Sequence, residues 1–331
     1  MTFKTLLICL SLLCLAGSTQ ADDHLLYFEA QSIAGYSSDL NKAIFYSQNP
    51  DAEMQKSSFG FDYIKRFSGE FGDVATFALQ ARLALVVDPR EDEDHVKLEP
   101  QVYNAYFKVK TPGPYVWIGH NRPAFGLSSY FDSHALLLRT LAIQGFGYDR
   151  DWGVGLYRDF SWGDISATGT TGSGMPIYFR GNYMTAARAS YGVLSRDNMN
   201  LGLSLGYGNT LETMGYTLLT SKPRRMALGG IDLTLLRDNF EHRFDFLAGK
   251  WIGEETYALL YRFGVNLGQE GRLKLEAQPM LWKFGEERNY QLSACFSFLA
   301  TPDLTLRLGY TYDHKTNDNM VVMQLYYYRP I

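Results

Sequence analysis

Thr256-Tyr257-Ala258-Leu259-Leu260-Tyr261-Arg262-Phe263-Gly264-Val265-Asn266-Leu267 is the stretch whose reading decides the fold. Every second residue (Tyr257, Leu259, Tyr261, Phe263, Val265, Leu267) is large and apolar, and the alternate set contains Arg262. A period of two marks a strand with unlike faces. An unbroken apolar face opposite an arginine suits a strand with lipid on one side and water on the other. The next segment repeats the pattern, with Leu273, Leu275, Ala277 and Leu281 on one face and Lys274, Glu276 and Gln278 on the other.

Outward from there the alternation reaches both ends of the chain. Ala75, Phe77, Leu79, Ala81, Leu83, Leu85 and Val87 oppose Thr76, Gln80 and Arg82; Leu201, Leu203, Leu205 and Tyr207 oppose Gly202, Ser204, Gly206 and Gly208; the last segment turns Val321, Met323, Leu325 and Tyr327 to one side. Strands are expected near 25–35, 57–67, 74–87, 101–110, 115–121, 150–160, 163–171, 178–191, 198–209, 224–237, 240–251, 255–267, 271–283, 288–299, 303–313 and 319–328. That is an all-β, transmembrane antiparallel β-barrel of about 16 strands, or 14 if 163–171 is not one, an even number as bacterial single-chain barrels have. Connectors alternate in part: Thr111-Pro112-Gly113-Pro114, Ser161-Trp162, Arg237-Asp238-Asn239 and Thr301-Pro302 are short and made of turn formers, while 36–56, 88–100, 122–149 and 210–223 are long, although 252–254, 284–287 and 314–318 in the same set are short. Short turns belong at the periplasmic end and long loops outside.

Composition agrees. The 331-residue chain is 15% aromatic, with 23 Tyr and 31 Gly, yet its mean hydropathy is −0.19, because each strand averages an apolar face with a polar one. A net charge of −4 excludes the basic balance of a nucleic-acid binder. Residues 1–21 read as a cleaved secretory signal: Lys4, a short apolar run from Thr5 to Ala16, and small residues at Thr19 and Ala21. Residues 22–331 are then one barrel domain, delivered through the inner membrane to the cell outer membrane, with Cys295 its only cysteine and no disulfide possible.

The segment Val116-Trp117-Ile118-Gly119-His120-Asn121-Arg122-Pro123-Ala124-Phe125-Gly126-Leu127, then Arg150-Asp151-Trp152-Gly153-Val154, Ala187-Arg188, Leu201 to Gly208, Ile231-Asp232-Leu233 and Asp318 to Leu325 come in an order that resembles the phosphate-selective porin family, porins O and P. The resemblance covers most of the chain from about residue 100. It implies a sixteen-stranded porin, often a homotrimer, whose long third loop folds into the lumen. The connector 122–149 stands where that architecture puts such a loop. The chain departs from the family's pattern in having Ala124 between Pro123 and Phe125, arginines but no lysine in the loop, and the ending Tyr328-Arg329-Pro330-Ile331.

Parity places Arg66, Arg82, Lys108, Lys110, Arg188, Arg243, Arg262, Arg272, Lys274 and Arg307 toward the lumen against Asp62, Asp151, Asp159, Asp232, Asp245 and Glu276. A cationic wall favours anions, unless these charges pair across strands and cancel. The expected selectivity and constriction residues are Arg82, Lys108 and Arg188 on the wall and Arg122 and Arg139 on the loop. Asp132 to Leu141 could form a short helix capped by Asp132 or Ser133, with Arg139 at the constriction; alternatively the loop lies on the wall through Leu136, Leu137, Leu138 and Leu141 with Arg139 solvated.

Other functions find little purchase. His24, His95, His120, His134, His242 and His314 are scattered without metal-ligand spacing, so no metal or other cofactor is expected. His120, Asn121 and Ser128 are the nearest approach to hydrolase chemistry and lack a spacing that would align them. A sheath around a periplasmic partner protein would need a wider lumen than about sixteen strands give. The sequence therefore reads as a non-enzymatic outer-membrane porin for passive diffusion of small hydrophilic solutes, with a preference for anions; its partners are outer-membrane lipid and those solutes.

Overall fold

A computed structural model describes residues 24–45, 55–70, 72–86, 97–268 and 271–331. The leader expected at 1–21 and most of the loop expected at 88–100 lie outside the described residues. Sixteen strands close a single antiparallel barrel among those described: β1 His24–Ser37, β2 Ser58–Gly69, β3 Gly72–Val86, β4 Lys97–Val109, β5 Tyr115–Asn121, β6 Asp151–Phe160, β7 Gly163–Thr170, β8 Tyr183–Tyr191, β9 Met199–Thr210, β10 Arg224–Arg237, β11 Phe240–Trp251, β12 Glu254–Leu267, β13 Leu273–Phe284, β14 Glu287–Thr301, β15 Leu304–Asp313 and β16 Asp318–Pro330. Each pairs with its chain neighbours. The sheet closes where β1 meets β16, from Tyr27 opposite Pro330 to Ser37 opposite Met320. Closure leaves no unpaired edge, the condition for a sheet to cross hydrocarbon. No helix among the described residues is long and apolar enough to cross a membrane.

The alternation predicts the facing. Phe59, Leu83, Leu201, Leu203, Leu205, Tyr261, Leu275, Leu281, Val321, Met323 and Leu325 all stand exposed on the outer wall, while Arg82, Ser204, Asp232, Arg262 and Gln278 are buried within. Ring pairs mark the outer wall at both ends: Phe67 with Phe107, Phe160 with Trp162 and Phe240 with Phe263 at one end, Tyr290 with Tyr312 and His314 at the other. Aromatic girdles of this kind flank the apolar band of a transmembrane barrel.

Two details differ from the sequence reading. The strand expected from 178 begins at Tyr183, because 171–182 is a loop folded around Asp151, whose carboxylate accepts from the N–H groups of Gly172 and Gly174 and from the Thr171 hydroxyl. The turn after β8 contains one helical turn, Leu194–Asp197, ended by Asn198 in the left-handed conformation at φ 55°, which asparagine tolerates.

Candidate pore constriction

The loop 122–150 leaves β5, runs inside the barrel and returns at β6. The Ala124 N–H donates to Thr168 Oγ1 on β7 at 3.2 Å, the Gly126 N–H to Ser204 Oγ on β9 at 3.0 Å, and the Tyr130 hydroxyl bonds Thr234 Oγ1 on β10 at 2.8 Å. Farther along, Arg262 on β12 donates to the carbonyls of Leu138 and Arg139, Gln278 on β13 to that of Arg139, and Arg307 on β15 to that of Ala135, at 3.0–3.2 Å. His134 Nε2 meets Glu29 on β1 at 2.7 Å, and the Tyr103 hydroxyl of β4 donates to Asp149 at 2.7 Å. The loop is thus bonded to strands all round the barrel.

No helix forms over 132–141; the only helical turn in the loop is Leu127–Ser129. A helix there would pair the Ala135 carbonyl internally and keep residue 135 at negative φ; instead Arg307 takes that carbonyl and Ala135 stands at φ 59°. The Leu138 and Arg139 carbonyls, which the last turn of a helix would leave open, are taken by buried Arg262 and Gln278. One part of the expected cap survives, since Asp132 Oδ1 accepts from the His134 N–H at 3.0 Å.

Apolar contacts reinforce the anchors. Leu127, Leu141 and Phe146 of the loop are buried against Met226, Leu228, Leu247, Leu260 and Met280, all inward-facing on β10–β13. Leu137 and Leu138 are buried with Ile33, Met320, Val322 and Cys295 on the far side. The wall-lying alternative is therefore right for these leucines, but Arg139 is not solvated: it is 8% exposed, with Nη1 donating to Gln144 Oε1 at 3.1 Å.

The two ends of the loop are tied by charge. Arg122 pairs with Asp132 at 2.8 Å; Arg150 lies 3.5 Å from Asp132 and 3.0 Å from Asp149, and stacks on Tyr103 at 4.4 Å. Burial pushes the Asp132 carboxyl up, but the Arg122 and Arg150 guanidinium groups outweigh it and hold the group at about 2.

Of the five expected selectivity residues, Lys108, Arg122 and Arg188 line one cavity of about 200 Å³ on the short-turn side of the loop. Arg82 and Arg139 lie elsewhere; Arg82 is buried, with Nε donating to Gln101 Oε1 at 2.9 Å. Arg188 is 3% exposed and forks onto Asp232, with Asn200 accepting at 2.6 Å, Asp164 at 3.5 Å and Tyr130 beneath its guanidinium. On the other side of the loop a second cavity of about 360 Å³ is lined by Phe146, Trp251, Trp282 and Phe284 with Glu212 and Asp313.

Parity undercounted acidic groups. Glu29 and Glu241 also face inward; Glu241 pairs with Arg243 and Lys274, and Glu276 with Lys274, while Arg272 lies in the connector before β13 and not on the wall. Pairing of this kind cancels much of the inward positive charge. The sequence reading named Asp132 only as a helix cap and Arg150 only within a motif, and passed over Asp149, which with them closes the loop; it quoted Trp117 without a place, although parity with Tyr115 could have put it in the lumen. Among the described residues no cluster of His, Cys, Asp or Glu is placed to hold a metal.

No protein-family model matches this chain, and no curated protein matches it. Solved structures do. OmpF of Salmonella typhi, in complex with daunomycin, is similar with a TM-score of 0.67 at 10% identity, over 94% of this chain and 99% of that one. The anion-selective porin of Comamonas acidovorans gives 0.63 at 10% identity over 93% and 99%, and OprB of Pseudomonas putida 0.55 at 12% over 99% and 97%. These likenesses show a porin-type fold.

Proposed function

We propose that this chain is an outer-membrane porin through which small hydrophilic solutes diffuse passively, with a preference for anions. The observation that carries it is the loop 122–150, fixed inside a closed transmembrane barrel with a cavity on each side. A barrel that only crossed the membrane would have no use for a constriction bonded to so much of its wall. Anion preference rests on Lys108: the wall arginine in the same cavity is matched by carboxylates, and Lys108 has no ion pair among the described residues. A net positive field in a narrow, low-dielectric passage attracts anions. The fold shared with an anion-selective porin supports the same reading, as does the resemblance to the phosphate-selective porins, which also implies a homotrimer.

The sheath reading loses ground because the chain's own loop occupies the lumen. The hydrolase reading does too: Ser128 Oγ donates to Thr140 at 3.3 Å, and His120 is stacked on Trp152. Swelling of liposomes containing the refolded barrel tests the proposal; small uncharged sugars should enter at rates that fall with size, and swelling no faster than in protein-free liposomes would reject it.

A further inference from the structure

The cavity of about 360 Å³ on the far side of the loop is walled by rings and acids set side by side. Trp282 and Phe284 are successive inward residues of β13; across the strands Trp282 is directly paired with Asn289 of β14, and Phe284 with Glu287. Directly opposed residues place their side chains beside one another. Both rings are only half-buried, so each leaves part of its surface to the cavity. Phe146 of the loop stands 6.0 Å from Trp282 with the two planes at 57°, and Trp251 and Ile252 are buried in the same cluster. Ile252 is held at φ 51°, a costly conformation for a β-branched residue, and it lines the same cavity. Ring planes at an angle present a corner to a compact head group, whereas a sugar stacks on one flat face.

The charges of the wall fix the sign of that head group. Among the described residues lining the cavity the acids are Glu212, Glu287 and Asp313, and the one base is Lys315. Lys315 is held on Glu287 at 2.5 Å. Among the described residues Asp313 accepts only from neutral groups: the Asn289 and Gln291 amides and the N–H and hydroxyl of Thr316. These bonds fix the carboxylate in place without cancelling its charge. Acids therefore outnumber bases over an aromatic floor. A cleft lined by one sign concentrates counter-ions, and a cation is drawn to the face of Trp or Phe. The barrel already uses inward rings this way, with Arg150 over Tyr103, Arg188 over Tyr130 and Arg243 over Phe131. A volume of about 360 Å³ corresponds to about twelve waters at about 30 Å³ each, which admits a ring bearing a trimethylammonium group.

We propose that this cavity binds small aromatic quaternary ammonium cations, with the ammonium against Trp282 and Phe284 in the field of Glu212 and Asp313. Its place in the lumen rests on the porin reading, but the binding is testable apart from conduction. Barrel refolded in nonionic detergent, checked for folding by heat-dependent gel mobility, is titrated calorimetrically with benzyltrimethylammonium chloride, sodium benzenesulfonate, benzyl alcohol and maltose. The ammonium should bind at least about tenfold more tightly than the sulfonate, which reverses the charge, the alcohol, which lacks it, or the sugar. Trp282→Leu, which keeps bulk but removes the ring, should weaken the ammonium about tenfold, and Glu212→Gln, in a loop outside the strands, about threefold. Equal affinity for ammonium and sulfonate, tighter binding of maltose, or unchanged ammonium binding in folded Trp282→Leu overturns the site. If Trp282→Leu does not fold, unchanged binding in Glu212→Gln overturns it. A barrel that conducts ions yet binds no ammonium overturns the site and leaves the porin; one that binds ammonium yet never conducts supports the site and removes the porin.

Discussion

Arg188 reaches across an intervening strand to Asp232, with Nη2 2.7 Å from Oδ1 and Nε 3.0 Å from Oδ2. The strand between them is β9, and the residue between them is Gly202, where a Cβ would collide with both the guanidinium and the carboxylate. A glycine-rich inward face thus makes room for an ion pair linking β8 to β10, and both side chains are almost wholly buried.

Removing one partner should be costly, because the other is left charged in a dry place. Asp232→Ala is expected to destabilise the barrel by about 3–5 kcal/mol, and Gly202→Ala, which forces the fork apart, by about 1–3 kcal/mol. Urea unfolding of the detergent-folded protein followed by tryptophan fluorescence checks both; midpoints equal to wild type would show that the fork does not hold the wall. Arg188 would then be available for selectivity after all.

The loop should behave as a fixed constriction. Leu141, 1% exposed against the inner wall, becomes a cavity on substitution by alanine, a loss of about 2–5 kcal/mol of packing. Combined with Arg262→Met, which removes the donors to the Leu138 and Arg139 carbonyls, Leu141→Ala should free the loop. Single-channel records of the double variant should show larger and noisier current than wild type, and the loop should become open to protease.

Acid should release the loop late. The Asp132 carboxyl is held at about 2 when folded, against an ordinary 3.8, so its contribution is fully present above about pH 4 and is lost as pH falls through about 2. Conductance noise should be flat from pH 8 to pH 4 and rise only toward pH 2. Asp132→Asn should show the raised noise at every pH. A wild-type rise centred near pH 6 would contradict the role given to Asp132.

Much of the fold was legible because lipid and water impose a strict parity on each strand. The alternation of Tyr257 to Leu267 gave the facing of β12, and turn lengths gave the order of loops. The site was less legible for a physical reason. Met226, Leu228, Leu247, Leu260 and Met280 face inward yet are apolar, because the loop and not water covers them. A parity rule that equates inward with wet cannot see this. Nor can it pair Arg188 with Asp232, which lie two strands apart, or foresee that Arg307 would take the Ala135 carbonyl in place of a helical turn.

The most direct test is planar-bilayer recording of the refolded barrel under a salt gradient, wild type beside Lys108→Gln. Steady open conductance with an anion-favouring reversal potential, moved toward cations by Lys108→Gln, is the predicted result. A folded barrel that leaves the bilayer silent would contradict the porin itself, and an identical reversal potential in the two proteins would contradict the role given to Lys108.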